Sequence, residues 1–205
     1  MRQSVCKPVT SAAIWVLVWT PILFAAEPKT AVVTVPVANM YSAPTEDVDV
    51  VSQAILGSKV GVVQEAPGWE KVRTNDEYIG WVRSSDTRQL AGAEPGYATS
   101  GRVAQVSSLT ANLYRETDVT LHRPLLTVPF ETRLEIIAQG QGDNADWFQV
   151  RLPDNRTAWI QAGDVDLAPH KLSIEESIAL GRRFFGLTYT WGGRSSFGYD
   201  GSGFT

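Results

Sequence analysis

Thiols, imidazoles and long apolar runs are scarce in this chain of 205 residues. Cys6 is the only cysteine, and His122 and His170 are the only histidines. A single thiol excludes an internal disulfide, even in a compartment that would permit one. A structural zinc site built on Cys and His lacks its ligands, so no metal is expected, and no motif calls for a cofactor. The 18 Lys and Arg residues are scattered, so no basic patch marks a nucleic-acid partner. Like charges occur only in short runs, and the formal net charge is -4. What is present is ordinary for a globular chain, with 43% hydrophobic and 20% charged residues. The length suits one medium domain or two to three small ones.

The one sustained apolar run lies near the start. Arg2 and Lys7 precede AAIWVLVWTPILF, Ala12 to Phe24, and Ala25 and Ala26 follow. That order is the layout of a secretory signal peptide over residues 1–26. The run, about 13 residues, is short of the roughly 20 that span a bilayer. Leu23 or Phe24 falls three residues before the cut, so an uncleaved anchor stays open beside cleavage. Cleavage would remove Cys6 and leave a mature chain with no thiol and no membrane span.

Two stretches rich in β-branched and aromatic residues follow. They repeat one another. Ala38-Asn39-Met40-Tyr41 matches Ala111-Asn112-Leu113-Tyr114 at an offset of 73. Trp69-Glu70-Lys71-Val72-Arg73 matches Trp147-Phe148-Gln149-Val150-Arg151 at 78, as Gly80-Trp81-Val82 matches Ala158-Trp159-Ile160. The drift places extra residues in the middle of the second copy. Two copies of so long a period indicate tandem small domains rather than a solenoid. Each offers five or six short strands and two tryptophans, enough to fill a small barrel. Residues 89–101, with Gly, Ala and Pro95, read as the link between a first domain at 32–88 and a second at 102–167.

From Leu172 the period changes. Ser173 and Glu176 form a capping box. Ile174, Ile178, Gly181 and Phe185 then recur on one helical face, predicting a helix from Ile174 to Phe185 that stops at Gly186. The chain closes on YTWGGRSSFGYDGSGFT, Tyr189 to Thr205. Taken alone, Asp200 before Gly-Ser-Gly reads as a turn or a helix cap, and Tyr189 and Trp191 alternate as strand residues do.

The two repeats, through N-[ML]-Y, W-x-x-V-R and [GA]-W-[VI], each resemble a bacterial SH3 (SH3b) domain. The closing segment resembles the nucleophile segment of the NlpC/P60 cell-wall cysteine peptidases, which reads Y-x-W-G-G, a polar loop, then D-C-S-G-[FL]. Tyr189, Trp191, Gly192, Gly193, Asp200, Ser202, Gly203 and Phe204 stand at the family's positions. Gly201 stands where the family has its cysteine. The expected fold is therefore mainly β, two tandem SH3b-like barrels followed by the first helix and nucleophile segment of an α+β, papain-like domain at 172–205.

That resemblance implies peptidoglycan stem peptides as partner, a periplasmic or secreted location, a monomer, and cleavage between γ-D-glutamate and a diamino acid from a free L-alanine end. It implies Tyr189 at the oxyanion, Asp200 and Ser202 at the substrate's amino end, and Trp191 in the cleft wall. From the first barrel it points to Tyr78, with Glu77 beside it, although both also fit a plain edge strand. A glycine has no nucleophile to offer, and neither His122 nor His170 lies downstream of the motif as the family's histidine does. The chain as written is expected to be inactive and truncated, with its last 34 residues unable to bury a core and either partly disordered or lying loosely on the second barrel. A non-catalytic wall-binding protein and a gene fragment remain the competing readings.

Overall fold

The structure is a computed structural model and describes residues 29–92 and 94–204. The proposed signal segment lies outside the described residues. The first barrel is one sheet of β1 (Thr30–Val33), β2 (Val37–Tyr41), β3 (Val50–Ile55), β4 (Lys59–Ala66), β5 (Trp69–Arg73), β6 (Ile79–Arg83) and β7 (Thr87–Leu90), in the order β3-β2-β6-β5-β4-β1-β7. The strands pair antiparallel throughout. Alternation decides which face is inside: in β2 Ala38 and Met40 are buried while Val37, Asn39 and Tyr41 are only partly covered. The core collects Ala31, Val33, Ala38, Met40, Ala54, Val60, Val72 and Val82.

The second barrel repeats the plan with β8 (Val103–Val106), β9 (Thr110–Leu113), β10 (Leu126–Pro129), β11 (Arg133–Gln139), β12 (Trp147–Arg151), β13 (Thr157–Gln161) and β14 (Val165–Asp166). Five strands form the sheet β13-β12-β11-β8-β14, and β9 and β10 form a hairpin. A backbone bridge from Tyr114 to Trp159 joins that hairpin to the sheet. Even the irregularities recur. The β4–β5 register shifts between Val62 and Gln64, and the β11–β12 register between Ile136 and Ala138. The residues inside those shifts, Val63 and Ile137, are both exposed, as a bulge that breaks the ladder permits. The extra residues of the second copy fall in the loop between β9 and β10 and in the turn after β11 that holds Gly142–Asn144.

The barrels share a buried apolar boundary. Leu56, at the end of β3, is buried with the second barrel's core of Leu113, Val128, Leu134, Phe148, Val150, Leu152 and Ile160. Gly57 follows in a left-handed conformation, and a Cβ there would stand 2.7 Å from the Tyr97 ring, so only glycine allows this approach. The Tyr97 hydroxyl donates to the Arg151 carbonyl and accepts from the Glu135 N–H. Arg88 donates to the Pro153 carbonyl at 2.7 Å and pairs with Glu94.

After the second barrel comes helix α1 (Ile174–Arg182), then the hairpin β15 (Arg194–Ser195) and β16 (Gly198–Tyr199), then the single turn α2 (Gly201–Phe204). The capping box on Ser173 and Glu176 is formed in both directions. The helix ends at Arg182, short of the Phe185 expected, with Arg183 as its cap. Phe184 and Phe185 lie in the turn that follows, and Gly186 takes the left-handed conformation. No helix among the described residues is long and apolar enough to cross a membrane.

Candidate functional site

The closing segment is held by both barrels, which corrects the expectation that it lies loosely on the second. On the first barrel, the Arg194 N–H donates to Gln53 Oε1 at 2.9 Å. Gly192 passes so close to β3 that a Cβ would lie 2.7 Å from the Val50 carbonyl oxygen. On the second barrel, the Ser196 hydroxyl donates to the Leu109 carbonyl and accepts from the Phe130 N–H. Ser195 and Ser196 are consequently 2% and 3% exposed. The Phe184 ring meets Phe130 edge-on at 5.3 Å and Tyr199 at 5.5 Å, and Arg183 donates to the Ser107 carbonyl. A segment too short for a core of its own thus borrows the surface of the two domains before it.

The helix start at position 201 is built by Asp200. Its Oδ1 accepts from the Ser202 N–H at 2.8 Å, the Gly203 N–H at 2.6 Å and the Ser202 hydroxyl at 2.8 Å. Asp200 is therefore a helix cap, as its sequence taken alone suggests. The Gly203 N–H foremost, and the Ser202 hydroxyl next, hold its carboxyl below the usual carboxylate range. A Cβ placed on Gly201 would meet nothing within 4 Å.

Tyr189 and Trp191 are exposed, at 64% and 69%. Tyr189 is tied to the helix start through the backbone, by a bridge to Tyr199, the residue before Asp200. Tyr199 itself lines a cavity of about 440 Å³ with Phe130, Leu180, Phe184 and Phe204. Desolvation there, with the charge of Glu131, pushes its hydroxyl up to about 12. It is a wall residue in its neutral form at ordinary pH.

Tyr78 is brought to the segment. The Arg194 guanidinium lies over its ring, 4.7 Å from the centroid, and pairs with Asp76 in the same turn. Glu77 has a left-handed backbone and pairs with Arg73 of its own barrel at 3.6 Å. Sequence reasoning thus passed over Asp76, Arg194 and Gln53. Asp76 sits in a Thr-Asn-Asp turn and Arg194 in the variable loop of the motif, so neither carried a local signal. His122 pairs with Glu116 and His170 with Glu176, both on the surface. Among the described residues, no group of His, Cys, Asp and Glu is arranged to hold a metal ion.

Comparison with known proteins bears on the fold and the family. Residues 40–86 match the bacterial dipeptidyl-peptidase SH3 domain, and residues 106–167 match the YKFC SH3b2 domain. The two barrels are bacterial SH3 domains, and the fold is mainly β. The chain is 30% identical over 168 residues to the gamma-D-glutamyl-L-lysine dipeptidyl-peptidase of Bacillus cereus, covering 75% of this chain and 48% of that protein. It is 29% identical over 161 residues to the protein of that name from Bacillus subtilis, covering 75% and 50%. A crystal structure of an NlpC/P60 family protein from Bacillus cereus superimposes with a TM-score of 0.68 at 25% identity, covering 85% of this chain and 70% of the other. The chain is therefore a homologue of the SH3b-bearing NlpC/P60 proteins. It spans about half the length of the curated relatives it matches.

Proposed function

We propose that this protein recognises peptidoglycan stem peptides in the manner of a γ-D-glutamyl-diamino acid peptidase, and that it does so without cleaving them while glycine occupies position 201. The observation that carries this is the capped helix start at Asp200–Ser202, joined through one hairpin to the Tyr78 turn of the first SH3 domain. Two relatives named for the γ-D-glutamyl-L-lysine bond support the substrate class. Without a thiol at 201 no acyl-enzyme can form. Backbone donors and Tyr189 would still bind, so recognition outlasts chemistry. The positive and then apolar start supports export to the envelope.

Titration calorimetry with L-alanyl-γ-D-glutamyl-L-lysine, followed by mass analysis of the mixture, tests this. Binding with intact peptide is the expected result. Release of lysine would overturn the inactive assignment, and absence of binding would overturn the substrate class. The second reading is a wall-binding protein that uses its barrels alone, favoured by two complete SH3 domains. Retention on purified peptidoglycan combined with indifference to the tripeptide would support it.

A further inference from the structure

Arg194 occupies a variable position of the motif, yet it is the residue through which the segment touches three separate points of the first domain. Its backbone N–H reaches Gln53 on β3. Its guanidinium pairs with Asp76 and covers the face of the Tyr78 ring, both in the turn between β5 and β6. Gln53 is itself held by its side-chain N–H, which donates to Asn39 Oδ1 at 2.9 Å, so the acceptor is fixed before the segment arrives. Asp76 is likewise kept charged. Desolvation acts to raise its pKa, but hydrogen bonds from Thr74 and Arg194 and the guanidinium's charge outweigh it.

The other side of Arg194 leads to the helix start. Within the hairpin Arg194 pairs with Tyr199 and Ser195 with Gly198. Tyr199 is followed directly by Asp200, and the Asp200 N–H donates to the Gly193 carbonyl at 3.0 Å. A movement at Arg194 is therefore delivered within one strand pair to the residues around position 201.

We infer that Arg194 is a positioning residue that sets the Tyr78 turn of the first SH3 domain against the Asp200–Ser202 helix start, so that one peptide end is gripped by both. This rests on the functional reading above. An arginine suits the task because its planar fork can stack on a ring and bind a carboxylate at once, which a lysine ammonium cannot. The grip is directed at the amino end of the stem peptide, where a tyrosine hydroxyl and a carboxylate can accept from an ammonium group.

The test compares Arg194→Ala, Arg194→Lys and Gln53→Ala in the full chain. Two affinities are measured for each, for L-alanyl-γ-D-glutamyl-L-lysine and for its N-acetyl form. Arg194→Ala is expected to weaken binding of the free-amine peptide about tenfold, close to 1.4 kcal/mol, and to erase the preference over the acetylated one. Arg194→Lys should restore part of the preference. Unchanged affinity and preference in Arg194→Ala, with unchanged thermal unfolding, would overturn the assignment. Hydrogen exchange of residues 192–200 is read in parallel without peptide. Faster exchange in Arg194→Ala and Gln53→Ala is expected, and unchanged exchange refutes the clamp. If the wild-type chain binds neither peptide, the functional reading and the positioning role both fall, while the exchange data still decide whether the clamp exists.

Discussion

Asp200 and Ser202 are joined twice, since one carboxylate oxygen accepts both the backbone N–H and the hydroxyl of Ser202 at 2.8 Å. This pair, with the Gly203 N–H, turns the chain into α2. Because the folded pKa of Asp200 is depressed, its contribution is complete above the unfolded value near 3.9 and is lost as pH falls through the lower folded value. The Gly203 amide resonance, followed from pH 7 downward, should therefore titrate below the pH at which a free aspartate does. Asp200→Ala should remove the transition and cost roughly 1 kcal/mol of local order, read as faster exchange at Ser202 and Gly203.

Gly201→Cys is expected to be tolerated. Nothing stands within 4 Å of the new Cβ, and replacing glycine by cysteine in a helical turn gains about 0.3 kcal/mol of propensity. Thermal unfolding should be unchanged or slightly raised. Peptide mapping after iodoacetamide treatment should find position 201 labelled in the folded chain. A thiol at 201 that resists alkylation until unfolding would contradict the open surroundings described for it.

The repeat was legible because it is written in side chains that alternate. Asn39-Met40-Tyr41 and Asn112-Leu113-Tyr114 share the pattern in which the middle residue is buried, and tryptophans recur where β5 and β12 begin. The capping box and the family motif were legible because each sits within a few neighbouring residues. What escaped was long-range. Leu56 looks like any strand-end leucine until it enters the other barrel's core. Arg194 and Asp76 are far apart in sequence and meet only when both domains are in place. For the same reason the segment's few residues looked unable to dock, since a local sequence does not reveal a surface supplied by two preceding domains.

Leu56 makes the two barrels a single folding problem. It follows directly on β3 of the first barrel and is buried in the second core. Leu56→Ala should cost on the order of 2–5 kcal/mol, and the loss should appear in the second barrel as well as the first. Urea unfolding followed by tryptophan fluorescence, with exchange at Val150 and Ile160, separates the two. Stability lost from the first barrel alone would argue that the boundary is not a shared core.

Gly80 and Ala158 occupy equivalent places, and the difference between them is structural. A Cβ on Gly80 would lie 2.8 Å from both Met40 Cβ and Val51 Cγ2, whereas Ala158 is itself buried in the second core. Gly80→Ala should overpack the first barrel at a cost of about 1–3 kcal/mol, and Gly80→Ala with Val51→Ala, which removes the Cγ2 contact, should recover part of it. Ala158→Gly should weaken the second barrel by loosening β13. Denaturation midpoints of the three variants check the asymmetry.

Tyr97 links the barrels from the connecting segment and brings its own pH signature. Burial first, and the charge of Glu135 among the lesser causes, push its hydroxyl well above the ordinary tyrosine value. With the folded pKa raised, the stabilisation is fully present below the unfolded value of ~10 and declines as pH rises from there through the folded value. Tyr97→Phe leaves the Arg151 carbonyl and the Glu135 N–H without this partner, at a cost of roughly 1–3 kcal/mol. The variant should unfold earlier than the wild type at neutral pH and lose less stability than it between pH 9 and 11. A wild-type chain whose alkaline unfolding is unaffected by Tyr97→Phe would show that the hydroxyl contributes nothing to holding the domains together.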